Sequence, residues 1–259
     1  MTISQEGIDM TPPAGGPAGQ GERVWGPWGT IGLSAVILFV FVLVQVFAVV
    51  CFLALGVLYE PNFQIDAFFD GIEFNGLVLS TATAATSVLT TALVLGLIRL
   101  RKGATVRDYL GLHPVDVRTL LVWLAAALAL AAASDGLSIL LERPVVPEFM
   151  VRVYETAEVL PLFWAAIVLL GPIFEEVFFR GFLFAGLARS RLGGAGTVVV
   201  TALAWAVIHV QYDLYGIATV FVIGLLLGWA RLRTGSLALT IALHAAFNLV
   251  AMLELVLLV

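Results

Sequence analysis

Seven apolar runs, separated by short polar or charged stretches, set the terms on which this chain of 259 residues can fold. They cover approximately 30–58, 77–99, 119–141, 161–188, 196–211, 215–231 and 236–258. A bilayer core about 30 Å thick needs roughly 20 apolar residues per helix. Inside it every backbone N–H and C=O must be satisfied by the segment itself, which selects helices. With 61% hydrophobic and 12% charged residues, the chain carries more apolar surface than a water-soluble fold of this length can hide. The expected fold class is therefore all-α, a polytopic membrane bundle of about seven transmembrane helices. The first run, Ile31 to Leu58, is too long for a signal-peptide core and reads as an uncleaved anchor.

Composition divides the chain further. Residues 1–28 are rich in Gly, Pro and small polar residues (Thr11-Pro12-Pro13-Ala14-Gly15-Gly16-Pro17) and read as a disordered cytoplasmic tail. Residues 29–141 form an N-terminal three-helix membrane region, 142–160 a connector, and 161–259 a region of four spans. Between Pro147 and Pro161, Met150, Val153, Tyr154, Ala157 and Leu160 fall on one helical stripe. Glu148, Arg152, Glu155 and Glu158 fall on another, so an interfacial helix is expected, either a simple surface connector or a lid. The single cysteine, Cys51, lies in an apolar run, so one chain can form no internal disulfide.

Charge alternates from loop to loop. Arg99, Arg101, Lys102, Arg107 and Arg118 crowd the second connection, Arg189 and Arg191 the fourth, and Arg231 and Arg233 the sixth. The first connection has only Glu60, Asp66, Asp70 and Glu73, and the fifth only Asp213. With the N-terminus in the cytoplasm, ten basic residues lie inside and two outside, and the C-terminus lies outside. Membrane lipids are then the obligatory surroundings. The formal net charge of −5 argues against a nucleic-acid partner.

Arg180 belongs to neither side. With Glu175 and Glu176 it lies within an otherwise lipid-soluble run, where each charge costs about 2.5–3.5 kcal/mol on insertion scales. Such groups persist when they pair, line a wet cavity or carry function. Glu176 and Arg180 are four residues apart on one helical face, the favourable order for an ion pair. Glu175 points about 100° away and needs another partner. Two later runs place His209 one turn after Trp205, and His244 one turn before Asn248. A carboxylate and an imidazole can deprotonate a water, with or without a metal. A second imidazole and an amide can stabilise a tetrahedral oxyanion. Neither a G-x-S-x-G nucleophile motif nor an H-E-x-x-H zinc helix is present.

Glu-Glu-x-x-x-Arg, aromatic-x-x-x-His and His-x-x-x-Asn, in this order on successive late runs, resemble the CAAX-protease and bacteriocin-processing (CPBP, or Abi) family of intramembrane endopeptidases. The resemblance covers about residues 160–250 and makes 161–259 a CPBP-like catalytic core. Trp205 stands where the family usually has Phe. The resemblance implies that Glu175 activates water together with His209, that His244 and Asn248 stabilise the oxyanion, and that Glu176 and Arg180 support the site. It implies a membrane-associated peptide or protein as substrate. Family members have been described both as metal-free glutamate proteases and as zinc metalloproteases. Glu175, His209 and His244 would be the ligand set if zinc is used.

Two other classes compete: an idle membrane scaffold or bacteriocin self-immunity factor, and a small proton- or cation-coupled transporter. No repeat between the halves favours the transporter. Elsewhere, Gly224-x-x-x-Gly228 is expected to pack within the bundle, and Ser80, Thr83, Ser87 and Thr90 to hydrogen-bond between helices. Asp135 and Glu254 are expected to snorkel near the outer ends of their spans. His113 reads as a surface or capping residue.

Overall fold

The computed structural model describes residues 24–258. The expected disordered tail lies outside the described residues up to position 23, and its last two positions already belong to a helix. The regular structure among the described residues is all helical, with no strand. In chain order the helices are α1 (Pro27–Tyr59), α2 (Ile65–Gly71), α3 (Gly76–Arg99), α4 (Val106–Leu110), α5 (Val117–Leu140), α6 (Glu148–Glu155), α7 (Leu160–Leu187), α8 (Gly193–Val207), α9 (Leu214–Thr234) and α10 (Leu237–Leu258). Six of them, α1, α3, α5, α7, α9 and α10, are long and apolar enough to cross a membrane. The chain is an integral multi-pass membrane protein. The fifth expected span is the short apolar helix α8, of 15 residues, about 22 Å long at 1.5 Å per residue.

Local chemistry marks the helix ends. Pro27 occupies the first turn of α1, where its missing N–H costs nothing. Asn75, Thr105, Asp116 and Asp213 each accept a backbone N–H from the first turn of α3, α4, α5 and α9. Gly111 and Gly235, at φ 68° and 67°, end α4 and α9 in the left-handed region.

Contacts sort the connections into two ends. At one, Leu237 N–H donates to the Gly111 carbonyl, the Ser236 hydroxyl donates to the His113 carbonyl, and Arg231 donates to the carbonyls of Arg180 and Gly235. His113 thus works through its backbone, clamping the α4 loop to the α9–α10 turn. At the other end, Arg143 pairs with Asp213, and Thr156 donates to the Phe74 carbonyl while accepting from Gly76 N–H. The described chain therefore passes between the two ends seven times, α8 included.

Helix α7 runs through the middle, packed by α1, α3, α4, α8, α9 and α10. Phe174, Phe178, Phe182, Ile98, Leu110 and Leu237 form its buried surround. The interfacial helix α6 docks rather than floats: Val153 is fully buried, and Gly76 lets α3 approach so closely that a methyl would overlap the Val153 carbonyl. Gly224 and Gly228 let α9 reach Ala202, Trp205 and Val198 on α8, so that motif packs within the bundle.

One expectation needs correction. Ser80 and Thr90 donate to carbonyls of their own helix, Leu77 and Thr86, rather than across helices. In hydrocarbon a hydroxyl finds its nearest acceptor one turn back on the same helix. Asp135 and Glu254, expected near the outer ends of their spans, lie within hydrogen-bonding reach of each other.

Candidate active site

Helix α7 is not regular. It widens into π-helical turns over Ala165–Leu170 and again over Val177–Leu183, with Glu175 and Glu176 on the α-helical stretch between them. Pro172 has no N–H for the carbonyl one turn back, and its ring would clash there. The first wide turn ends just before it. Such bulges recur at functional sites because they shift a side chain out of the helical register.

Glu176 and Arg180 are both 0% exposed and joined at 2.9 Å. Arg180 also donates to the Gly224 carbonyl at 3.2 Å and lies over the Trp205 ring, 4.6 Å from its centroid. Their pairing is as expected. Less expected is that Glu176 reaches the histidine: its Oε1 lies 3.0 Å from His244 Nδ1. Glu175 lies on the other side of the same imidazole, its Oε2 3.8 Å from His244 Nε2. The two glutamates thus diverge along α7 and reconverge on opposite nitrogens of one ring. Glu175 finds its own partner in Trp205, whose indole N–H donates to Oε2 at 2.5 Å.

Trp205 is the hub of this arrangement. Its ring meets His209 and His244 edge-on, with centroids at 5.1 and 5.0 Å. Its carbonyl accepts from His209 Nδ1 at 2.7 Å. A carbonyl can only accept, so Nδ1 carries the proton and Nε2 is the free nitrogen of neutral His209. The same reasoning puts a proton on His244 Nδ1 beside the Glu176 carboxylate. Asn248, one turn beyond His244, donates an amide N–H to the Ile167 carbonyl at 2.7 Å, inside the first wide turn. That leaves its second N–H and its oxygen for other partners.

His209 lies beyond the end of its helix, not within it. The apolar run suggested a span to residue 211, whereas α8 stops at Val207 and a turn carries His209 and Tyr212. Irregular backbone this close to the bilayer interior is tolerated where protein or water satisfies it. Tyr212 stacks on His209 with centroids 6.1 Å apart and 15° between the planes. It meets Phe149 of α6 edge-on at 6.3 Å. Burial raises the Tyr212 phenol above its ordinary value, and the Glu175 charge adds to the rise. The sequence hinted at Tyr212 only through its position between His209 and the helix-capping Asp213.

Among the described residues no three His, Cys, Asp or Glu side chains converge as a metal would require. Oε2 of Glu175 takes the indole N–H, and each histidine has its Nδ1 held by the protein and its Nε2 left for another partner.

Against known families, residues 157–250 match the model described as Type II CAAX prenyl endopeptidase Rce1-like. No curated protein and no solved structure matches the chain.

Proposed function

Starting from an Rce1-like domain at residues 157–250, which supports a CAAX-type intramembrane endopeptidase in general, we propose that Glu175 is the general base of peptide-bond hydrolysis in this chain. The observation that carries the reading is the convergence of Glu175, Trp205 and His244 from three helices around a carboxylate whose side chain is still 25% exposed. A buried carboxylate serving only packing would be closed off as Glu176 is.

Glu175 takes a proton from water while His209 Nε2 accepts the second hydrogen bond and orients the attack. The oxygen adds to the scissile carbonyl and gives a tetrahedral oxyanion. The second amide N–H of Asn248 and an Nε2–H of His244 donate to it, with Glu176 holding the same imidazole at Nδ1. Glu175 then passes its proton to the leaving amine as the C–N bond breaks, and every atom is accounted for. The substrate is a membrane-associated peptide or protein, with a prenylated C-terminal segment as the class the domain description suggests.

The test uses the full chain in liposomes with a quenched prenylated CAAX-type peptide. Glu175→Gln, His209→Ala and His244→Ala are each expected to cut turnover by about 10²–10⁴-fold. Treatment with a chelator is expected to leave the wild-type rate within twofold. Turnover that survives Glu175→Gln sinks the glutamate mechanism. Turnover lost to chelation and restored by zinc favours a metal-assisted one. A wild type that cleaves nothing favours the idle scaffold.

A further inference from the structure

Trp205 does more than wall the site. A phenyl ring in its place would keep the edge-on contacts to both imidazoles and the face under Arg180. It could not supply the N–H that meets Glu175 Oε2 at 2.5 Å. Trp205 is 3% exposed, so its ring is held in place by the protein around it. An indole N–H donates and never accepts, so the carboxylate oxygen facing it is the one that stays unprotonated.

The other oxygen is placed differently. Oε1 of Glu175 lies beside Gly171, one helical turn back, 4.0 Å from where a side chain there would begin. The Thr83 methyl lies 3.8 Å from the same point, and the indole N–H goes to the other oxygen. Oε2 is flanked by Trp205 Nε1 and His244 Nε2, the latter at 3.8 Å. The two oxygens of Glu175 are therefore inequivalent before any substrate arrives.

We propose that Trp205 is a positioning residue, its indole N–H locking the Glu175 carboxylate so that Oε1 is the oxygen that accepts the proton from water. The role rests on the endopeptidase reading above, while the hydrogen bond itself can be tested without it. Holding a general base in one orientation raises turnover and leaves substrate binding alone, because the bond touches no part of the substrate.

Two readouts separate these layers. The full chain is labelled at its six tryptophan indole nitrogens, and the Trp205 N–H signal is identified by its loss in Trp205→Phe. That signal is expected well downfield in the wild type, and to move upfield in Glu175→Gln, where a neutral amide replaces the carboxylate. In the peptide assay, Trp205→Phe is expected to lower kcat about tenfold with KM unchanged. An indole signal that does not respond to Glu175→Gln overturns the hydrogen bond. A responsive signal with unaltered kcat overturns the positioning role. A rise in KM at constant kcat replaces that role with one in substrate binding. Absence of cleavage in the wild type sinks the hydrolase reading, with the positioning role that depends on it, while the indole signal still decides the bond.

Discussion

At the scale of single residues, the site's most costly feature is the Glu176–Arg180 pair, buried without access to water. Two ions held in low dielectric recover their desolvation only together and with further hydrogen bonds. Arg180 has the Gly224 carbonyl and Glu176 has His244 Nδ1. Removing one partner strands the other charge, so Glu176→Ala is expected to destabilise the protein by about 3–5 kcal/mol, read from unfolding in detergent. Adding Arg180→Met should recover most of that stability, since no orphan charge remains. It should not recover turnover, because His244 Nδ1 still lacks its acceptor. Recovery of both would make Glu176 a purely structural partner of Arg180. The sequence shows the ion pair through its four-residue spacing. The link from Glu176 to His244, 68 residues away, depends on how α10 packs on α7 and has no local signature.

Helix by helix, legibility follows hydropathy. Runs of apolar residues delimit α3, α5, α7 and α10 to within a few positions. They fail at α8, because Ile208 and Val210 continue the apolar pattern past the last helical residue, and a turn flanked by apolar residues looks like more helix. The wide turns of α7 are equally hidden, with only Pro172 to signal them. The short helix α4 shows what composition misses at the cytoplasm-like end. Tyr109 stacks on Phe182 of α7 at 5.8 Å, and Gly181 lets Leu110 come close. Burial pushes the Tyr109 phenol up to about 12, with hydrogen bonds to the Trp25 backbone and to Thr30 moderating the rise. The unfolded chain loses this proton near pH 10, so over that interval the native state binds more protons than the unfolded one. Stability supplied by Tyr109 is complete below about pH 10 and falls as pH rises towards 12. Unfolding curves from pH 9 to 12 should show this decline in the wild type and a flatter response in Tyr109→Phe. An equal decline in both would place the alkaline sensitivity elsewhere.

The whole molecule adds a constraint that neither residues nor helices carry alone. Its connections fall into two ends by contact, and the basic residues follow the same division. The end built by the α4 loop and the α9–α10 turn also takes the α3–α4 connection, where Arg99, Arg101 and Lys102 lie, and Arg231 and Arg233 close α9 there. The end built by Arg143–Asp213 and Thr156–Phe74 is acidic in its first connection. Short basic loops are retained in the cytoplasm, so the two divisions need not have agreed; a wrongly counted span would have mixed them. Their agreement requires α8 to cross despite its length, and it puts His209 and Tyr212 at the end that carries α6. With Cys51 replaced by Ser, a cysteine at Asp66 or Glu158 should react with a membrane-impermeant maleimide on intact cells. One at Lys102 or Arg191 should react only after permeabilisation. If α8 turned back without crossing, cysteines at Arg191 and Asp213 would label from the same side.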